Sequence, residues 1–265
     1  MNFIHKDTFT SLFTSLEKSL HINPPPLTIL AYHSISEDNT IVDIHPSIFK
    51  KQIDTLKETC EFISLDDVVE YIQNEKKLSK PAVALTFDDG YKDLIQNVMP
   101  SLSENNIPAS VFVLSQPQNA NRAELANDKP LMNIEDLKIL KRNGWTIGCH
   151  SGTHPNFADK KLNVQKEIID SKKQLEQDLG FAIKYFVYPK GIYSEAIIRA
   201  VEKAEFSAAF AFEPGTISHR TDRFAVPRMP VDWTHSEKQY EAFFTQWGLG
   251  YLQMRHSFIK NFSTL

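Results

Sequence analysis

The chain has 265 residues, 42% apolar and 23% charged, with a formal charge of −4. That is enough chain for the buried core of one α/β unit, and it lacks the clustered basic charge that nucleic acid binding requires. Cys60 and Cys149 are the two cysteines, too few for a disulfide framework or a zinc ribbon, and no apolar run is long enough to span a membrane.

The chain opens with apolar residues at helical spacing: Phe9, Leu12, Phe13, Leu16 and Leu20. They predict an amphipathic helix docked on the domain, with attachment to a membrane surface as the alternative. This stretch has neither the basic leader nor the continuous apolar segment of a signal peptide, so the expected location is cytoplasmic. Pro24-Pro25-Pro26 then breaks the helix.

Strand-like and helix-like segments alternate after that break. The strands are "LTILAYH", "EFISL", "AVALTF", "ASVFVL", "WTIGCH", "IKYFVY", "FSAAFAF" and "FAVPRM". The helices are "PSIFKKQIDTLKET", "LDDVVEYIQNE", "YKDLIQNVMPSLSEN", "NIEDLKILKRN", "NVQKEIIDSKKQLEQDL" and "SEAIIRAVEKA". Asn133 caps one helix at its start, Gly144 stops the same helix, and Gly180 stops another. Such alternation means a mostly parallel sheet, either open and doubly wound or closed into a barrel. Ser115 to Pro130 forms a polar loop of the kind that is either a functional lid or a disordered insertion, and the tail reads as one or two closing helices.

Polar groups collect where these strands end. His33 ends the first strand, Asp88-Asp89 follow "AVALTF", His150 ends "WTIGCH", and Pro189-Lys190-Gly191 follow "IKYFVY". Parallel α/β folds place their sites on that edge of the sheet. Two adjacent carboxylates at a strand end repel one another and are costly to desolvate. A helix N-cap explains such a pair only in part, because it has no use for nearby histidines. In "HSGTH", His150 and His154 are four residues apart, which lets both rings converge on one ion. A divalent cation held by Asp89, His150 and His154 would neutralise the local charge. Asp88 could then stay ionised beside it and take a proton from water whose pKa the ion lowers.

"TFDDG" followed by "HSGTH" resembles the first two motifs of the polysaccharide deacetylases, carbohydrate esterase family 4, with the nodulation-type deacetylase domain. The resemblance covers about Leu27 to Val231 and is strongest to the poly-N-acetylglucosamine deacetylases, through the leading "LAYHSI" and the "HPSIFKKQIDTL" helix. It implies a distorted, incomplete (β/α) barrel of about seven mostly parallel strands. The expected division is residues 1–26 for the helix and Pro linker, 27–232 for the barrel domain and 233–265 for the closing helices. It also implies metal-dependent removal of acetyl groups from N-acetylated amino sugars.

On the matching positions, Asp89, His150 and His154 are similar to the metal ligands and Asp88 to the catalytic base. His33 is similar to the subgroup's general acid, and Arg228 in "VPRMPV" to an arginine that orients the base. "FVYPKG" resembles the third motif, placing Tyr188, Pro189 and Gly191 at the substrate and a backbone N–H beside Tyr188 at the oxyanion; the arginine common in that motif is missing. Asp232-Trp233 resembles the fourth motif, with Trp233 as a groove wall.

One divalent ion is expected, zinc first, with cobalt, nickel and iron accepted by the same ligands. The expected partner is an N-acetylated glycan or amino sugar, polymeric or linked to a lipid or nucleotide, with membrane contact only for a lipid-linked substrate. Peptidoglycan or chitooligosaccharide deacetylation, a non-haem iron oxygenase and a non-catalytic carbohydrate-binding relative are the competing readings.

Overall fold

A computed structural model of the chain describes residues 3–38, 40–121, 123, 125, 126 and 129–262. In chain order its elements begin with α1 (Phe3–Leu20), β1 (Leu27–Tyr32), β2 (Ser34–Ile35), β3 (Asp43–Ile44), α2 (Pro46–Thr59), β4 (Glu61–Phe62) and α3 (Leu65–Ile72). There follow β5 (Ala82–Phe87), α4 (Leu94–Asn97), α5 (Met99–Glu104), β6 (Ala109–Val113), α6 (Ile134–Arg142), β7 (Thr146–Cys149) and α7 (Ser171–Leu179). The last are β8 (Tyr185–Val187), α8 (Glu195–Lys203), β9 (Ala208–Phe210), β10 (Met229–Pro230), α9 (Glu237–Ala242) and α10 (Gln246–Phe262).

The main sheet is parallel, in the order β10-β1-β5-β6-β7-β8-β9, with β4 pairing at the start of β5. It curls until one segment touches both edges. Val226 bridges Phe210 of β9, and β10, a few residues on, pairs with β1. The closing strand is only two residues long, so the barrel is incomplete.

Strand alternation sorts the core into two layers. Val83, Leu85 and Phe87 join Leu30, Tyr32, Ile147 and Cys149 in a cluster with residues of α2 and of α5 to α8. Ala82, Ala84, Leu27, Ile29, Phe112, Tyr185, Val187 and Phe210 face the lumen, which α3 plugs with Leu65, Val68 and Val69. His33, Asp88, His150 and Phe212 each continue a lumen-facing series by one more step of two. The pleat of the buried strands therefore aims these side chains at a common space above the core.

Three predicted elements differ from the structure. The helix expected over "YKDLIQNVMPSLSEN" is two short helices, α4 and α5, because Pro100 in the first turn of α5 has no N–H to continue α4. The helix expected over "NVQKEIIDSKKQLEQDL" starts as a π-helical stretch, Gln165–Asp170, before α7. The third difference is the buried face of α1. Thr10, Thr14 and Glu17 are buried, whereas Leu12, Leu16 and Leu20 are exposed. Glu17 sets this rotation, since its carboxylate accepts from the backbone N–H groups of Gln246 and Trp247 and so caps α10. Phe13, from the predicted apolar face, packs against Trp247 and Tyr251. The side chain of Phe9 lies outside the described residues. No helix among the described residues is long and apolar enough to cross a membrane.

Candidate active site

At the C-terminal ends of the strands lies a cavity of about 320 Å³ lined by His33, Asp88, Asp89, His150, His154 and Tyr188, together with Val42, Lys190 and Phe212. Asp88 follows Thr86 in the lumen-facing series and is 2% exposed. Arg228 meets it as a fork: Nη1 donates to Oδ1 at 2.8 Å and Nη2 to Oδ2 at 2.7 Å. The guanidinium is itself fixed, with Nε donating to the Ala211 carbonyl, Nη1 to Thr86 Oγ1, and the group lying over the Phe112 ring. Burial pushes the Asp88 carboxyl up, but Arg228, with His150 and His33, outweighs it and holds the group at about 2.

Asp89 is out of phase with the lumen series and reaches the cavity by another route. Its backbone is left-handed (φ +67°), as is that of Gly90 (φ +76°), and this turn re-aims the side chain. Gly90 is required there, because a Cβ would come within 2.7 Å of Val113 Cγ1. Burial pushes the Asp89 carboxyl up. Oδ1 of that carboxylate has no hydrogen-bond partner among the described residues. That oxygen lies 3.5 Å from His150 Nε2 and 3.8 Å from His154 Nε2.

His150 donates from Nδ1 to the Val187 carbonyl at 3.0 Å, which turns Nε2 toward Asp89. Burial pushes the His154 imidazole down to about 2, aided by His150 and Lys190, so the ring is neutral as a ligand must be. One donor atom from each of Asp89, His150 and His154 lies within 4.8 Å of the others. An orphaned carboxylate oxygen and two imidazole nitrogens facing one point fit a divalent cation.

The turn between the two histidines is built from its surroundings. Ser151 (φ +70°) and His154 (φ +56°) are both left-handed. Ser151 Oγ accepts from His154 N–H at 3.0 Å. Glu167, 5% exposed, accepts from Gly152 N–H (3.0 Å), Thr153 N–H (2.8 Å) and Thr153 Oγ1 (3.0 Å). It comes from the π-helical stretch, a distortion that recurs at functional sites. A Cβ at residue 152 would come within 2.8 Å of Glu167 Oε2, hence Gly152.

The remaining expected residues divide. Tyr188 lines the cavity, with its hydroxyl donating to the Phe224 carbonyl and its ring stacked on Tyr193. Pro189 and Gly191 are buried in the turn beneath, and the Gly191 N–H bonds the Tyr188 carbonyl. His33 is half-buried with its ring edge-on to Phe212, the centroids 5.5 Å apart. Arg228 is behind Asp88 rather than in the cavity wall. Trp233 is 60% exposed and does not line this cavity.

Phe212, Val42 and Glu167 were not anticipated as site residues, and Lys190 was placed at this strand edge without a role. For Phe212 a signal existed, since it extends the alternation of Ala208 and Phe210. Glu167 carried none, being one acid among many in a charged helix.

Similar proteins have been described. The chain is 26% identical over 240 residues to YxkH of Bacillus subtilis (strain 168), covering 90% of this chain and 81% of that one. It is 21% identical over 226 residues to a poly-beta-1,6-N-acetyl-D-glucosamine N-deacetylase of Staphylococcus aureus (strain MRSA252), covering 80% and 77%. The structure of IcaB from Ammonifex degensii is similar in fold, with a TM-score of 0.72 and 21% identity over 86% of this chain and 98% of that one. So is the Streptococcus pyogenes deacetylase PplD in complex with acetate, with a TM-score of 0.66 and 21% identity over 79% and 92%. Residues 75–209, about half the chain, match the polysaccharide deacetylase family model, and they contain the Asp88-Asp89 pair, both histidines and Glu167. The chain belongs to the polysaccharide deacetylase family.

Proposed function

We propose that the protein is a metal-dependent hydrolase that removes acetyl groups from N-acetylated amino sugars in a glycan. One observation carries this reading. A carboxylate locked to an arginine stands directly beside a second carboxylate that faces two imidazoles with an unsatisfied oxygen.

Asp89, His150 and His154 would hold the ion, for which we take zinc, although cobalt, nickel and iron suit the same donors. When bound, such an ion supplies Lewis acidity toward the acetamide carbonyl and lowers the pKa of water. Arg228 keeps Asp88 ionised and holds its oxygens in one orientation, so Asp88 takes the proton as water attacks the carbonyl carbon. His33 lines the same cavity and gives a proton to the departing amine. Tyr188 and the turn that follows it form the wall where the carbonyl oxygen gains charge.

The name of the Staphylococcus aureus relative favours β-1,6-linked N-acetylglucosamine as the sugar. A neighbouring cavity of about 480 Å³, which also borders Asp89, offers room beside the site for further sugar units. An oxygenase would leave the Asp88–Arg228 pair without a task.

Acetate release from N-acetylglucosamine oligomers, followed with and without chelator, tests the proposal. Wild-type protein should release acetate and lose that activity to chelator. Asp88→Asn should lose about 10²- to 10⁴-fold in kcat while still binding metal. Full turnover in chelator, or undiminished turnover by Asp88→Asn, overturns the scheme.

A further inference from the structure

We propose that Lys129 is a positioning residue for His33, clamping the strand end that carries His33 to the loop that carries Asp88 and Asp89. The inference rests on the deacetylase reading, in which His33 protonates the leaving amine.

His33 needs such a clamp because the main sheet lets go of the chain just before it. The ladder between β1 and β5 ends at the Tyr32–Phe87 pair. Beyond it, β2 pairs only with β3, two residues on each side, in a separate small sheet. The last backbone bond across that seam, Asp88 N–H to the Tyr32 carbonyl at 2.9 Å, stops one residue short of both His33 and Asp89.

Beyond that bond, Asp93 and Lys129 together bridge the gap. Lys129 is 6% exposed, although it ends a polar surface loop. Its Nζ lies 2.7 Å from Ser36 Oγ, 2.7 Å from Asp38 Oδ2, 3.0 Å from Asp43 Oδ1 and 3.3 Å from Asp93 Oδ2. The hydroxyl of Ser34, the residue after His33, lies within hydrogen-bonding distance of both Asp43 and Asp93. Ile35 N–H donates to Asp93 at 3.1 Å, and Ser36 Oγ to Asp43 at 3.0 Å. Asp43 follows Val42, a residue of the cavity wall.

The backbone next to Lys129 is tied to the other side of the gap. Lys92 N–H donates to the Pro130 carbonyl at 2.9 Å, and Met132 N–H to the Gly90 carbonyl at 2.8 Å. Residues 129–132 thus hold Gly90 to Lys92, immediately after Asp89, while the ammonium holds Ser36, Asp38 and Asp43. The buried ammonium and the buried Asp43 carboxylate fix one another, because either would be left as an unpaired buried charge if the other moved away.

The test compares Lys129→Met with wild type on two acetyl donors: an N-acetylglucosamine oligomer, whose amine must be protonated to leave, and an activated aryl acetate, whose phenolate leaves without a proton. A displaced His33 costs the first reaction and spares the second, so the amide-to-ester ratio of kcat should fall about tenfold or more, with KM and metal affinity held within about threefold. In a His33→Ala background Lys129→Met should add little further loss, as expected for residues acting through one another. Additive losses, or equal losses on both donors, overturn the proposal.

Ser34→Ala, a milder cut in the same network, should lower the same ratio if Lys129→Met fails to fold, and an unchanged ratio overturns the proposal. Should wild-type protein act on neither donor, the deacetylase reading falls, and a crystal structure of the Lys129→Met or Ser34→Ala variant decides the clamp separately. A His33 ring displaced from Asp89 by more than about 0.5 Å supports it, and a smaller displacement overturns it.

Discussion

Asp88 has both carboxylate oxygens on Arg228, while Asp89, the next residue, keeps Oδ1 without a hydrogen bond among the described residues, facing two imidazoles. The first carboxylate carries its counter-charge within the fold; the second depends on one from outside. The contrast follows from phase and backbone. Asp88 sits in the lumen-facing series, where an arginine waits over Phe112, and Asp89 reaches the cavity only through a left-handed turn. A site that must bind a cation and keep a free base beside it needs this asymmetry. Two equally unsatisfied carboxylates would compete for the ion, and two equally paired ones would ignore it.

The sharpest way to break the contrast is to remove Arg228. In chelator, Arg228→Met should cost about 3–5 kcal/mol in urea unfolding, because Asp88 is left as an unpaired buried charge. The double variant with Asp88→Asn should recover part of that loss. Asp89→Asn in chelator should be neutral or stabilising, since it removes an unsatisfied charge, and should lose the stabilisation that metal gives wild type. Equal stability losses for Arg228→Met and Asp89→Asn in chelator would dissolve the distinction.

A smaller effect is expected at the support of the His150–His154 turn. Glu167→Gln keeps one acceptor for the Gly152–Thr153 turn and loses the other. Metal affinity, read by competition with a chromophoric chelator, should fall about 10- to 100-fold, while Asp88 and Arg228 stay paired.

The smallest effect concerns Asp43, which like Asp88 is compensated from within the fold. Burial pushes its carboxyl up, but Ser34, Thr40 and Lys129 outweigh burial and hold it at about 2, below the ordinary 3.8. A lowered value means that the ionised form stabilises the fold, fully above pH 3.8, with the contribution lost as pH falls through about 2. Neighbouring Asp93 is pushed up by burial and titrates in the opposite sense, so the comparison with Asp43→Asn isolates Asp43. The stability advantage of wild type over Asp43→Asn should narrow between about pH 4 and pH 2, equally with and without metal. An advantage unchanged by acid would contradict the assignment.

Much of the fold was legible because its strands are short apolar runs ending in polar groups. The six residues of β1 and the six of β5 are all buried, as strands covered on both faces read. His33, Asp88 and His150 could be placed at strand ends because side chains alternate with a strict period of two. The buried face of α1 was not legible. Its leucines define a clear apolar stripe, yet one ionic cap, Glu17 on the start of α10, turns that stripe outward. Trp233 has the same lesson in reverse, since an aromatic residue after a motif aspartate stands 60% exposed outside the cavity.

By itself the sequence determined the strand–helix alternation, the sheet edge that bears the chemistry, and the residue types that converge there. Those properties are local, set by pleat, periodicity and side-chain chemistry. The tertiary structure decided which aspartate is neutralised from within, which acid shapes the histidine turn, and how a lysine from a distant loop spans the gap beside His33. Each of those depends on two groups far apart in the chain meeting at hydrogen-bonding distance, and no periodicity in the sequence encodes such a meeting.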